Sequence, residues 1–199
     1  MPTEPARSRV VGELTLRPAT PDDLPVIASL YLAAREAAVP QMPPGIHPPD
    51  DVRRWVGSWD LVRREVWLAE SDGTLLGFAD VQQDWLDSLY VDPLHTGQGI
   101  GAALLDLVKS LRPNGFCLWV FQSNAGARRF YRSNGLVELE HTDGSTNEER
   151  SPDLRMAWAG AEPLAFFQSL LEDIDGELAV LESRRAAVTA AMAHLDAGR

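Results

Sequence analysis

The segment that most constrains the chain runs Val91-Asp-Pro-Leu-His-Thr-Gly-Gln-Gly-Ile-Gly-Ala-Ala-Leu-Leu105. An apolar run, Leu86 to Val91, leads into it, and an amphipathic run, Ala102 to Leu111, leads out. Gly97, Gly99 and Gly101 stand at alternate positions where a strand gives way to a helix. Glycine allows positive φ and lets a ligand come close to the backbone. The first amides of a helix have no partner within it, and the helix dipole favours an anion there. Strand, glycine-rich turn and helix start together read as a phosphate cradle. The spacing excludes two common phosphate motifs. A dinucleotide turn needs G-x-G-x-x-G and an acid about twenty residues on, and a P-loop needs Gly-Lys-Ser/Thr. Here the spacing is G-x-G-x-G, and no lysine follows the glycines.

What remains resembles motif A of the GNAT (Gcn5-related) N-acetyltransferases, V-x-P-x-x-(Gln/Arg)-G-x-G-x-(Gly/Ala). The match is at Val91, Pro93, Gly97, Gly99 and Gly101, with Thr96 where the family has Gln or Arg. The resemblance implies that the amides of Thr96, Gly97, Gln98, Gly99, Ile100, Gly101 and Ala102 hold the pyrophosphate of acetyl-CoA. Thr96 removes one long donor and leaves the backbone cradle. A second stretch, Asn124-Ala-Gly-Ala-Arg-Arg-Phe-Tyr-Arg-Ser-Asn-Gly135, is similar to motif B, N-x-x-A-x-x-F-Y-x-x-x-G. By that likeness Asn124 binds the pantetheine arm in a wedge where the sheet splays apart, and Tyr131 points at the acetyl sulfur.

Chemistry gives Tyr131 a reason. A thiolate leaves when an amine attacks a thioester, and a phenol within reach can protonate it. A free thiol titrates near about 8.5 and tyrosine near about 10, so the transfer is uphill unless concerted with departure. In the family the oxyanion is met by backbone amides of the fourth strand, freed by a bulge. Here these belong to Leu89, Tyr90 and Val91. The attacking amine must lose a proton. Asp87 is the first candidate base, sharing a strand face with Leu89 by alternation; Asp80, Asp84 and Glu70 are its rivals. Cys117 sits in an apolar strand, where a thiol is a small buried hydrophobe rather than a nucleophile.

The elements read in the order β-α-α-β-β-β-α-β-α-β-β, the GNAT order. Glu13 to Arg17 is a first strand. Thr20-Pro21-Asp22-Asp23 caps a helix running to about Val39. Pro40 to Pro49, with five prolines, is an exposed, stiff loop, and a second helix follows to Trp59. Strands are expected at Glu65–Glu70, Thr74–Gln82 (after an Asp72-Gly73 hairpin turn), Leu86–Val91, Phe116–Phe121, Val137–His141 and Leu154–Trp158. Helices are expected at Ile100–Leu111 and Ala125–Asn134. The run Phe116 to Phe121 reads as buried on both faces. The fold class is α/β (α+β), with a mixed central sheet flanked by helices. By resemblance the acceptor pocket forms from the loops Pro40 to Pro49 and Thr142 to Pro152, which nominates His47, Glu148 and Glu149 as substrate contacts.

Composition narrows the partners. The 199 residues carry a net charge of −11, with a sequence pI of about 4.7. That disfavours nucleic acid and anionic membranes and suits a cationic amine. One cysteine rules out an internal disulfide and fits a reducing, cytoplasmic setting. No apolar run reaches membrane-span length, and no metal-ligand pattern stands out.

Three parts are expected: a disordered tail over residues 1–10, a GNAT domain over 11–160, and a helix over 161–199. In the last, Leu164, Phe167, Leu171, Ile174, Leu178, Leu181, Val188, Met192 and Leu195 recur at alternating steps of three and four, with Arg185 filling one position. That is a heptad seam, which must be covered by the domain or by a second copy, as in a homodimer. The same stretch, Ile174-Asp-x-x-Leu178-x-x-Leu181-x-x-x-Arg185, weakly resembles the first helix of AroQ-type chorismate mutases. That family's earlier arginine is Gln168 here and its two following helices are missing, so no mutase activity is expected. Two functions remain: acetyl transfer from acetyl-CoA to an amine of a small molecule or peptide, or a CoA-binding or oligomerisation module with little catalysis.

Overall fold

The computed structural model describes residues 13–197, and side chains for 13–194. The expected tail over residues 1–10, and the side chain of Leu195, lie outside the described residues.

The central unit is a meander of three antiparallel strands, β2 (Glu65–Ser71), β3 (Thr74–Gln82) and β4 (Trp85–Val91). Asp72 and Gly73 both take positive φ, 51° and 73°, as a two-residue turn matched to strand twist requires. This sets Ser71 opposite Thr74. β1 (Thr15–Pro18) adds at one edge, shifted slightly along the chain from the expected Glu13–Arg17. On the far side β5 (Phe116–Phe121) pairs along its whole length with β7 (Asp153–Trp158), and β6 (Val137–His141) closes that edge. The sheet order is β1-β2-β3-β4-β5-β7-β6.

Helices cover opposite faces. α1 (Leu24–Ala37) and α2 (Pro49–Gly57) bury Ile27, Val56, Leu68 and Phe78 on one face. α3 (Ile100–Leu111) and α4 (Ala125–Ser133) bury Leu104, Leu105, Phe116 and Leu118 on the other. α1 starts later than its cap suggested, because Pro21–Asp23 forms a single 3-10 turn first. Asp23 then ties the start down, accepting from the Thr20 amide and from both ends of the Arg17 guanidinium at 2.8 Å.

Two features of the fold matter for function, and the first carries one departure from the sequence reading. β4 and β5 are joined at a single register point, Trp85 opposite Cys117, with the Cys117 amide donating to Asp84 O at 2.9 Å. Beyond it the strands part. In consequence β5 is not buried on both faces throughout: Trp119 is 45% exposed where it borders the gap. The last helix, α5 (Pro163–Ala197), leaves the domain. Phe166 near its start packs closely over Gly115 and the Trp158 carbonyl, but Leu171, Ile174, Leu178, Leu181, Val188 and Met192 are all more than half exposed. The domain does not cover the seam.

Candidate active site

The turn after β4 is built to leave amides free. Asp92 accepts from the Leu94 amide at 3.0 Å and pairs with His95 Nδ1 at 2.9 Å, fixing the chain as it leaves the strand. Gly97 (φ 76°) and Gly99 (φ 86°) then reverse it through conformations that L side chains avoid. The first helical bond recorded runs from the Ala103 amide to Gly99 O. Among the described residues the amides of Gly97, Gln98, Gly99, Ile100, Gly101 and Ala102 have no hydrogen-bond partner. A Cβ on Gly97 or Gly99 would meet nothing within 4 Å, so the turn faces open space. The Thr96 hydroxyl is spent on Pro93 O at 3.3 Å, and Gln98 Oε1 is buried without a partner among the described residues. Six N–H groups running through the turn into the helix start, with no acceptor among the described residues, can hold a diphosphate.

Where β4 and β5 part, their residues line a cavity of about 620 Å³. One wall carries Leu89, Val120, Asn124, Ala127 and Tyr131; the other carries Tyr31, Arg35, Trp55, Arg64, Asp80, Asp87 and Tyr90. Strand alternation sorts the β4 amides. The Asp92 amide donates to Leu76 O on β3 at 2.8 Å, and Tyr90 lies opposite Phe78, Ser88 opposite Asp80. The N–H groups of Tyr90 and Ser88 therefore face β3, and those of Leu89 and Val91 face the gap. This corrects the expectation for Tyr90, whose amide belongs to the sheet; its ring lies on the α1 side of the cavity instead, 5.0 Å from Tyr31.

The bulge falls earlier than expected. Asp80 pairs with Ser88 and Val81 with Leu86, so Asp87 is the extra residue. A bulge breaks alternation. Leu89 packs into the α3/α4 core, whereas Asp87 turns to the α1/α2 face, bonding Gln82 and lying 4.0 Å from Arg64. The expected shared face of Asp87 and Leu89 is thus overturned. Beside Asp87 lies Asp80, 1% exposed. Its Oδ2 accepts from Arg64 at 2.8 Å, while its Oδ1 is buried with no partner among the described residues. Burial pushes the Asp80 carboxyl up to about 6 and outweighs the pull of Arg64. Burial raises Asp87 as well, against its bond to Gln82. Arg64 is held over the faces of Trp59 (4.6 Å) and Trp55 (5.7 Å).

Asn124 caps α4, its Oδ1 accepting from the Ala127 amide at 3.0 Å, which leaves its amide nitrogen for the cleft. Tyr131 is 8% exposed, and burial holds its phenol above the ordinary range. The hydroxyl keeps its proton at neutral pH. The Cys117 thiol is raised by burial and takes a bond from Arg155 at 3.2 Å, as expected of a packed thiol.

The two acceptor loops do meet. His47 Nε2 and Glu148 lie 2.9 Å apart, but both are largely exposed at the rim. Glu149 is not available for a substrate ammonium: Arg35 holds it at 2.8 Å with both groups mostly buried. That pair bolts the loop over residues 142–152 to α1. Arg35 also reaches the Tyr31 hydroxyl at 3.3 Å. Arg35, Arg64 and Tyr31 were not nominated from sequence. Arg35 carried a faint signal, falling four residues after Tyr31 on the helix face that starts with Leu24 and Ile27; Arg64 carried none.

Comparison with known proteins agrees with this geometry. The Acetyltransferase (GNAT) domain family matches residues 63–138. An uncharacterized N-acetyltransferase of Archaeoglobus fulgidus is 35% identical over 115 residues, 49% of this chain and 77% of that protein. The peptidyl-lysine N-acetyltransferase YiaC of Escherichia coli K12 is 29% identical over 158 residues, 75% of this chain and 99% of its own. The crystal structure of the PaiA N-acetyltransferase from Thermoplasma acidophilum, in complex with coenzyme A, shares the fold with a TM-score of 0.58 at 22% identity, covering 74% of this chain and 99% of that one. The chain belongs to the GNAT family of acetyl-CoA-dependent N-acetyltransferases. Among the described residues no helix is long and apolar enough to cross a membrane.

Proposed function

We propose that this enzyme moves the acetyl group of acetyl-CoA to a cationic amine by direct attack within a ternary complex. The observation that carries the reading is juxtaposition: the amides of Gly97 to Ala102, unpartnered among the described residues, follow directly on β4, and β4 itself lines a cavity that also holds Asn124, Tyr131, Asp80 and Asp87. CoA enters along the α3/α4 side, with its diphosphate on the turn, its arm by Asn124, and its thioester beside the Leu89 and Val91 amides. The acceptor enters from the α1/α2 side, where the Tyr31 and Tyr90 rings, Asp87 and the Asp80 Oδ1 that Arg64 leaves unpaired suit an alkylammonium group. The carboxylates take the ammonium proton, and the amine nitrogen bonds to the carbonyl carbon. The free amides stabilise the oxyanion. As the C–S bond breaks, Tyr131 gives its proton to the departing thiolate, and the second proton shed by the nitrogen returns the phenolate to the phenol.

The acceptor class is an amine of a small molecule or of a peptide, and the similarity to a peptidyl-lysine acetyltransferase favours a lysine side chain. His47 and Glu148 form the rim over which a peptide would pass. Functionally, residues 11–160 are the catalytic unit and 161–199 the element that pairs two copies. The test is release of free CoA thiol in the presence of acetyl-CoA and a panel of lysine peptides, peptides with free N-termini, and small amines. Turnover with at least one class is expected. Tight CoA binding with no turnover across the panel would favour the non-catalytic module instead.

A further inference from the structure

Acetyl transfer makes no use of the exposed seam on α5, about 50 Å long at 1.5 Å per residue. Phe166, which anchors the helix to Gly115 and Trp158, lies on a different face from that seam. From Leu171 to Met192 its own domain leaves the apolar stripe exposed. We propose that two copies of this chain pair along α5 in antiparallel orientation, with the symmetry axis between Ala179 and Val180. This rests on the pairing of two copies proposed above and fixes its geometry.

Three features of the seam favour antiparallel over parallel packing. Centred at that point, apolar positions meet apolar ones except at one layer: Leu178 meets the partner's Leu181, Leu171 meets the partner's Val188, and Phe167 meets the partner's Met192. The single polar seam residue, Arg185, then lies level with the partner's Ile174; in a parallel pair in register it would face a second Arg185 across the same layer. A polar seam residue of this kind sets orientation and register. The flanks discriminate as well. The antiparallel pair places Glu177 beside the partner's Arg184, twice by symmetry. The parallel pair would set Glu177 against the partner's Glu182, like against like. On the other antiparallel flank Asp175 approaches the partner's Glu182. Arg185, next to that flank and three residues after Glu182 on its own helix, supplies the compensating charge. Gly176 falls on the outer face, where a missing side chain costs the interface nothing.

The test uses the full chain. Light scattering is expected to give twice the monomer mass of 21.9 kDa, and a monomer mass at every concentration would overturn both the pairing and its geometry. Glu177→Arg is the orienting variant. In the antiparallel pair it sets two arginines together at both symmetry-related contacts of that flank and raises the dimer Kd roughly tenfold, and adding Arg184→Glu restores it. A tighter dimer from Glu177→Arg alone would retain the pairing but overturn the orientation. A spin label on Gln168→Cys gives an independent reading. It is expected to show a separation of about 35 Å along the axis; a distance below about 15 Å would overturn the antiparallel arrangement.

Discussion

Tyr131 and Asp80 owe their properties to the same cause, loss of water, with opposite consequences. Burial keeps the Tyr131 phenol protonated well past neutral pH, which is the form a proton donor needs. Tyr131→Phe is expected to lower kcat by about tenfold to a thousandfold with little change in KM for acetyl-CoA, and steady-state kinetics on both substrates checks this. No basic limb from Tyr131 is expected in kcat below pH 10. Burial raises Asp80 to about 6, so it becomes a competent proton acceptor only as pH climbs through that value. The kcat/KM profile is accordingly expected to carry an acid limb near pH 6, and Asp80→Asn to remove it along with most of the activity. The same shift has a sign for stability. A carboxyl whose folded value exceeds its unfolded one favours the fold fully below the unfolded value near 3.8 and loses that contribution as pH rises toward 6. Between pH 4 and 6, Asp80 should therefore progressively weaken the fold, as thermal melts against pH would show relative to Asp80→Asn.

At the scale of elements, the site is made by an interruption: β4 and β5 meet once, and the gap that follows is the active-site cleft. What closes the rest of the sheet is tight packing of α3 on β3. A Cβ on Gly77 would lie 2.9 Å from Tyr90 O and 3.2 Å from both Ile100 and Leu104. Gly77→Ala is expected to destabilise the protein by about 1–3 kcal/mol through overpacking, measured by denaturant unfolding. These elements were legible in the chain. Periodicity gave the helices and strands to within a few residues, and the glycines after Pro93 announced the cradle, because backbone chemistry is written locally. The acceptor side was not legible. The bulge at Asp87 reverses which face that side chain serves, yet it is a property of register with β3 and has no local sign. The Arg35–Glu149 bolt joins residues 114 apart in sequence, and a charge paired at that distance reads as a solvated one. Asp80 stands in the sequence only as one of three rivals to Asp87; its burial depends on Arg64 and Trp59 arriving from elsewhere.

For the whole molecule, the proposed pairing would divide the chain between two independent functions, a cleft for transfer and a helix for association. Separating them is a prediction. Leu178→Glu with Leu181→Glu is expected to yield monomers that keep their thermal transition, because neither side chain is buried by its own domain. The central claim concerns the cleft, that a diphosphate sits on the amides after Pro93 while the thioester lies between the parted strands. Titrating the 15N-labelled enzyme with CoA tests it most directly. The account predicts saturable binding in which the largest amide shifts fall on Gly97, Gly99 and Gly101, accompanied by Leu89 and Val91 but with much smaller shifts along β2 and β6. Saturable binding whose shifts spare the glycine turn, or no binding at millimolar CoA, would contradict it.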